Sequence, residues 1–175
     1  MHEPGVRLSL RSLILLTLFG WLSMIGFDFF LHAGLLARLY LTPSPFLLPA
    51  SSAFRLIPVG YLSFLALALI LVWLMTRLQI KRAWPGGVFG LQLGGAIWGA
   101  LVLGLFSIST AEPLLLLGWF AGQTVELAIG GAVIGSGLAG TSLRRLGLMV
   151  LALLIIWVLL TIGLQSLGLA PAIHA

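Results

Sequence analysis

The sequence predicts an all-α fold, a polytopic transmembrane bundle of about five helices, on three observations. First, 61% of the 175 residues are hydrophobic and 7% are charged, so a soluble protein of this length could not bury its apolar surface. Second, five apolar stretches reach the roughly 20 residues that cross about 30 Å of hydrocarbon. Third, only short connections rich in Pro, Gly or Arg remain. We therefore expect a single transmembrane domain over 1–175.

The five predicted spans lie near 13–37, 57–78, 86–108, 114–138 and 146–169. Their orientation follows from the basic residues, because Lys and Arg accumulate on the cytoplasmic side of a membrane. Of the nine basic residues, only Arg38 and Arg55 flank the spans on the side opposite the N-terminus. We therefore expect a cytoplasmic N-terminus, an exterior C-terminus and a multi-pass location in the cytoplasmic (inner) membrane of a bacterium.

The first span carries an acidic residue inside an apolar stretch. Arg7 and Arg11 precede it, as basic residues precede a signal peptide, but its apolar run is longer than the roughly 7–15 residues of a signal core. We therefore expect a retained helix. Asp28 and His32 are four residues apart, so they lie on one helix face. The carboxylate could hold one imidazole nitrogen and fix the tautomer of the ring.

The longest connection, 38–56, is apolar for a loop and contains three prolines. Proline removes a backbone donor and favours an extended residue before it, so we expect no regular helix here. The favoured interpretation is a connection anchored at the outer interface by Tyr40 and Phe46. The alternative is a lid over a site, or a docking surface for another subunit.

Small residues recur at intervals of four in the third and fourth spans. Gly86, Gly90 and Gly94 share one face of the third span, and Gly131 and Gly135 share one face of the fourth. Glycine at this spacing lets two helix backbones approach closely enough for van der Waals packing. Because only a short connection separates the two spans, we expect them to form an antiparallel hairpin.

The fourth span brings a second polar pair into the membrane. Gln123 and Glu126 are three residues apart, so they also share one face. The first and fourth spans run in opposite directions, which places Asp28 and Gln123 each about 4.5 Å to the outer side of the centre. Glu126 lies at the centre. We expect these three residues and His32 to form an intramembrane polar cluster, with the fifth span as a peripheral helix.

Three interpretations of this cluster are open. In the favoured one, Asp28, Gln123 and Glu126 form hydrogen bonds that lock the bundle. In the second, His32, Asp28 and Glu126 form a proton or cation path from the outer face. In the third, the same three side chains, one imidazole and two carboxylates, hold a transition metal.

Catalytic chemistry has little support in the sequence. The chain has no Cys, which excludes disulfides, thiolate nucleophiles and thiolate metal sites. The G-x-S-x-G, H-E-x-x-H and phosphate-binding motifs are also absent. The basic residues lie at the ends of the spans and form no continuous basic face, so we expect no nucleic-acid partner. The sequence identifies no cofactor.

Two segments resemble a known family. The segment FDFFLH at 27–32, followed by GLL at 34–36, resembles the D-F-x-x-H-x-x-L-L signature of small bacterial membrane proteins with a domain of unknown function. The segment WFAGQTVE at 119–126 resembles the W-F-x-G-Q-x-x-E motif of their fourth helix. The resemblance covers roughly 15–138 and implies a polar centre formed by Asp28, His32 and Glu126. It implies no activity, and the fifth span departs from the four helices of that family.

The leading functional expectation is a small structural or accessory membrane subunit without enzymatic activity. Its expected partners are the lipid bilayer and other membrane subunits or an apolar ligand. The rival expectation, from a different class, is a proton-coupled transporter or small channel that uses Asp28, His32 and Glu126.

Overall fold

The structure, a computed structural model, describes residues 9–42 and 44–171. Its five long helices are α1 (Leu10–Phe30), α2 (Ala50–Arg77), α3 (Ala83–Ile108), α4 (Pro113–Leu138) and α5 (Leu143–Ser166). Each belongs to a helical stretch long and apolar enough to cross a membrane, and no strand occurs in the two described ranges. The predicted all-α bundle of five helices is confirmed. Arg7 and Pro43 lie outside the described residues.

The first connection is more helical than the sequence predicts. After α1 the chain continues as a π-helical turn, Leu31–Leu35, and a 3-10 helix, Ala37–Leu41, and α2 begins well before its predicted start. Pro49, with a φ of -52° and a ψ of 142°, is the N-cap residue of α2. At a helix start the missing N–H of proline removes no helical hydrogen bond. The prediction of no regular helix through 38–56 is therefore wrong for 38–41 and 50–56, and it holds for the described residues of 42–49.

The central helix of the bundle is α1, which packs against α2, α4 and α5. Ser9 caps its start, because the Ser9 hydroxyl accepts a hydrogen bond from the Ser12 N–H at 3.1 Å. The core between α1, α2 and α4 contains these fully buried apolar side chains: Leu16, Met24, Leu71, Met75, Leu127 and Ile134. At the edge of the bundle, α5 contacts α1 through Trp157, whose ring stacks on Phe30 at 5.1 Å.

The hairpin of α3 and α4 is held by contact between the two backbones. Five glycines lie in this contact: Gly86, Gly90, Gly94, Gly131 and Gly135. A Cβ added at Gly90 would collide with the carbonyl oxygen of Leu127, and one added at Gly135 would collide with that of Arg82. The Arg82 N–H also donates to the Gly135 carbonyl oxygen at 2.7 Å, which ties the preceding connection to α4. Only glycine permits helices to pack this closely.

Candidate functional site

The interface between α1 and α4 is antiparallel and keeps one continuous register. Four α4 glycines face side chains of the first span in turn: Gly118 faces Leu36, Gly122 faces Leu31, Gly130 faces Met24 and Gly137 faces Leu16. Each step toward the end of α4 is thus matched by a step toward the start of α1. Glu126 lies midway between Gly122 and Gly130. The register therefore places Glu126 at the level of Asp28.

Asp28, His32 and Gln123 converge in the half of the bundle that contains the last turns of α1 and the first half of α4. We call this side the His32 end of the bundle. His32 Nε2 lies 3.2 Å from Asp28 Oδ1. From α4, the side-chain nitrogen of Gln123 lies 3.3 Å from Asp28 Oδ1 and 3.3 Å from His32 Nε2. Asp28 and Gln123 are buried, whereas the His32 side chain is 31% exposed. The cluster is therefore shielded from solvent at Gln123 on α4 and accessible to solvent at His32.

A π-helical turn carries His32. Over Leu31–Leu35 the helix widens, and the Leu36 N–H donates to the carbonyl oxygen of the first residue of the turn at 2.8 Å. Single π turns within helices are rare and frequently occur at functional sites. The turn keeps the His32 ring beside Asp28 and ends the first span immediately beyond it.

Tyr40 and Trp119 extend the cluster on its open side. The Tyr40 hydroxyl lies 2.5 Å from His32 Nδ1 and accepts a hydrogen bond from the Trp119 indole N–H at 2.7 Å. Phe46 packs beside Trp119, with ring centroids 6.0 Å apart. Burial raises the pKa of Tyr40 to about 12, the Trp119 donor opposes this rise, and the charge of Asp28 adds to it. The Tyr40 hydroxyl therefore keeps its proton at neutral pH.

The donors and acceptors determine where the proton lies when His32 is neutral. His32 Nε2 faces Asp28 Oδ1, and an ionised carboxylate can only accept, so Nε2 is the donor of this pair. Nδ1 therefore accepts a hydrogen bond from the Tyr40 hydroxyl, whose oxygen accepts from the Trp119 indole N–H. The imidazole proton then lies on Nε2 and is donated to Asp28. The Gln123 amide nitrogen donates to Asp28 alone, because Nε2 no longer accepts. These bonds form one ordered row in which Trp119 donates to Tyr40, Tyr40 to His32, and His32 to Asp28.

Glu126 lies beside this row without joining it. Its side chain is 0% exposed, and neither carboxyl oxygen has a hydrogen-bond partner among the described residues. The register of the interface places Asp28 on α1 at the level of Glu126. Beyond Glu126, toward the start of α1, the interface contains the fully buried side chains of Met24, Ile134 and Leu16. Glu126 is therefore the closed end of the polar cluster.

Of the four residues predicted to cluster, the structure joins three by direct contacts and leaves Glu126 without a bond to a described residue. Sequence reasoning missed two members. Trp119 lies four residues before Gln123, so their shared helix face was a usable signal. Tyr40 was considered only as an interface anchor, because its place in the cluster depends on the π turn and the 3-10 helix.

The arrangement does not form a metal centre. Within 9–42 and 44–171, no three His, Cys, Asp or Glu side chains converge as ligands. Asp28 and His32 form one carboxylate–imidazole pair, and Glu126 does not complete it. Metal sites normally need a fuller ligand set, so the geometry does not support the metal interpretation.

The fold and the site together define a class, a small helical membrane protein with a polar cluster between its first and fourth long helices. No protein-family model, curated protein or solved structure matches the chain. The resemblance of 27–36 and 119–126 to a family with a domain of unknown function therefore stays a prediction. Function has to be inferred from the cluster itself.

Proposed function

We propose that this protein is a proton-coupled membrane transporter in which Glu126 binds the coupling proton. The observation that carries the proposal is the complete burial of Glu126 with neither oxygen bonded to a described residue. An ionisable group at mid-bilayer costs roughly 2.5–3.5 kcal/mol on insertion scales. A carboxyl group with a structural role normally offsets that cost through hydrogen bonds. A carboxyl group that binds and releases a proton accounts better for an unpaired side chain in this position.

The ordered row of hydrogen bonds supports a proton route toward Glu126 from the His32 end. A proton from solvent binds the Tyr40 oxygen as the original Tyr40 proton passes to His32 Nδ1. The proton on His32 Nε2 then passes to Asp28 Oδ1. After this step Tyr40 and neutral His32 again hold one proton each, and Asp28 has become the neutral acid. One proton has moved inward through the row.

Gln123 is suited to respond to the proton on Asp28. While Asp28 is ionised, the Gln123 amide nitrogen donates to it at 3.3 Å, and Gln123 Oε1 has no partner among the described residues. Once Asp28 is neutral, a half-turn of the amide lets Oε1 accept the Asp28 proton and frees the nitrogen to donate elsewhere. Glu126 lies three residues further along the same face of α4. In the last step of the proposed route the proton passes from Asp28 to a Glu126 carboxylate oxygen, which returns Asp28 to its ionised form.

Packing beyond Glu126 favours a transporter over a permanently open channel. Met24 and Ile134 are 0% exposed and Leu16 is 2% exposed, so the interface is tightly filled between Glu126 and the start of α1. None of these three side chains can carry a proton away from Glu126. Release on the far side requires α1 to move relative to α4. Alternating access therefore suits this site better than free diffusion through a pore.

The basic residues support a cytoplasmic (inner) membrane location with the His32 end outside. Five of them lie in or beside the two connections at the opposite end, which we call the basic end: Arg77, Lys81, Arg82, Arg144 and Arg145. The positive-inside rule assigns such an end to the cytoplasm. The proton route would then open to the exterior.

Purified protein in liposomes with an internal pH dye tests the proposal. We expect a pH gradient and a membrane potential, imposed together, to acidify wild-type liposomes, and Glu126→Gln to abolish that flux. Glu112→Gln is the matched control, because Glu112 is exposed at the start of α4 and lies outside the cluster. Wild-type flux in the Glu126→Gln variant would contradict the proposal.

A second readout needs no liposomes. Infrared spectroscopy detects the carbonyl band of a neutral buried carboxylic acid, and Glu126→Gln assigns the band to Glu126. The proposal expects that band to disappear reversibly as pH rises while the protein stays folded. A Glu126 band that persists unchanged until the protein unfolds would mean a fixed structural acid, and the proposal would fail.

A structural or accessory membrane subunit is the second candidate, favoured by contacts that tie the helices together. Gln123 joins α4 to Asp28 on α1, and the Gln165 side chain donates to the Ala33 carbonyl oxygen at 3.2 Å, which ties α5 to the π turn. Copurification in native lipid separates the candidates. A stoichiometric partner retained by Glu126→Gln supports this second role, whereas isolation of the protein alone counts against it.

A further inference from the structure

An open groove separates α1 from α2 at the basic end of the bundle. Its cavity volume is about 460 Å³, which falls in the roughly 300–1,000 Å³ range of small-molecule sites. Its walls are apolar over most of their extent and include Leu13, Ile14, Leu65, Leu69 and Trp73. The groove is separate from the polar cluster, since none of the cluster residues lines it.

The depth of the groove matches one leaflet of a bilayer. On α1 its lining residues run from Leu10 to Leu18, and on α2 they run from Arg77 back to Leu65. At a rise of 1.5 Å per residue, these stretches measure about 12 Å and about 18 Å. Half of the hydrocarbon thickness is about 15 Å. A hydrocarbon chain that enters the groove at the basic end would therefore reach the middle of the membrane.

The mouth of the groove carries the chemistry of an anion site. Arg77 lines it and is exposed, and no acidic side chain among the described residues forms a salt bridge with Arg77. A guanidinium group suits a phosphate, because its fork of N–H donors can bind two oxygens at once. Thr76, also in the lining, has a hydroxyl that is buried without a partner among the described residues. Both groups lie where a lipid headgroup would meet the membrane surface.

We propose that this groove binds a phospholipid with an anionic headgroup from the leaflet at the basic end. One acyl chain lies between α1 and α2, and the headgroup phosphate lies against Arg77 with the Thr76 hydroxyl beside it. Basic pockets between transmembrane helices on the cytoplasmic side commonly bind anionic headgroups. Two features select this occupant: an apolar wall as deep as one leaflet, and a guanidinium group at the mouth that forms no salt bridge with a described residue. The proposal does not depend on the proton route.

Native mass spectrometry of the protein, released from nanodiscs with equal amounts of phosphatidylglycerol and phosphatidylcholine, tests this inference. We expect wild type to retain phosphatidylglycerol preferentially. Arg77→Gln should weaken that retention about fivefold, the contribution of one basic residue near a membrane surface. Arg144→Gln is the matched control, because Arg144 lies at the same end but outside the groove, and it should retain phosphatidylglycerol as wild type does.

A second variant tests the acyl-chain part of the site. Leu69→Trp should fill the groove and reduce retention of both lipids, whereas Leu148→Trp, at a similarly exposed position on α5, should not. Melting temperatures confirm that each variant is folded. Equal retention of the two lipids by wild type, or wild-type retention by both Arg77→Gln and Leu69→Trp, would overturn the proposal.

Discussion

The α3-facing and α1-facing interfaces of α4 use glycine in different ways. Toward α3, glycine meets backbone, and a Cβ added at Gly90 would strike the Leu127 carbonyl oxygen. Toward α1, glycine meets side chains, and a Cβ added at Gly130 would lie 2.8 Å from the sulfur of Met24. A backbone cannot yield to such a contact, whereas the unbranched Met side chain can change rotamer. The α3–α4 hairpin is therefore a rigid unit, and the polar cluster lies on the face of α4 that can adjust.

The largest expected effect comes from an alanine substitution in the contact between the α3 and α4 backbones. Gly90→Ala should lower the free energy of unfolding by about 1–3 kcal/mol, because the two backbones are forced apart. Gly130→Ala should cost less, since Met24 can turn aside. Gly104→Ala is the control, because nothing lies within 4 Å of its added Cβ. It should stay within about 1 kcal/mol of wild type. Unfolding in mixed micelles measures all three variants.

A larger decrease in the free energy of unfolding for Gly130→Ala than for Gly90→Ala would reverse which face of α4 is rigid and which is adjustable. The movable face would then be the one toward α3, and the polar cluster would lie on the rigid side. The alternating-access proposal would lose its structural support in that case, because α1 could not separate from α4 without a large cost.

A smaller effect is expected at the adjustable face. Gln123→Leu removes the hydrogen bond between α4 and Asp28, and should lower the free energy of unfolding by about 0.6 kcal/mol, with about 1.7 kcal/mol as an upper value. Gln92→Leu is the matched control, because Gln92 is exposed on α3 and forms no side-chain hydrogen bond with a described residue. Equal values for the two variants would show that the bond adds no measurable stability.

The parts of the fold and of the polar cluster that have a local sequence signal could be predicted. Each span is a local signal, since a run of about 20 apolar residues is long enough to cross the membrane whatever surrounds it. The glycine spacing likewise identifies one face of α3 and one of α4, because residues four apart share a helix face. Asp28 and Gln123 could be placed at one depth because their helices are antiparallel.

Other features depend on geometry that has no local sequence signal. The π turn at Leu31–Leu35 changes the direction of every residue that follows it, so helical spacing does not predict the position of Tyr40. The start of α2 was also missed, because Pro49 opens a helix here although proline commonly ends one. Glu126 has no hydrogen-bond partner among the described residues. This depends on how α1 packs against α4 and cannot be deduced from the spacing of Glu126 to Gln123.

A titration tests the open end of the adjustable face, where burial raises the pKa of Tyr40 to about 12. The chain has two tyrosines, so in a Tyr61→Phe background the phenolate absorbance reports Tyr40 alone. The folded protein should titrate near pH 12. Trp119→Phe should move that pKa further upward, because the Trp119 donor stabilises the phenolate.

The free energy of unfolding should change over the same pH range as the titration of Tyr40. Between the unfolded pKa of about 10 and the folded pKa of about 12, the unfolded chain has lost the Tyr40 proton while the folded chain still holds it. The stabilisation from this group is therefore complete below pH 10 and is lost as pH rises toward 12, and Tyr40→Phe should remove that part of the pH dependence. A folded-state midpoint near 10 would mean that water reaches the Tyr40 hydroxyl freely. The loss of stability between pH 10 and pH 12 would then be absent, because folding would no longer change the pKa of Tyr40.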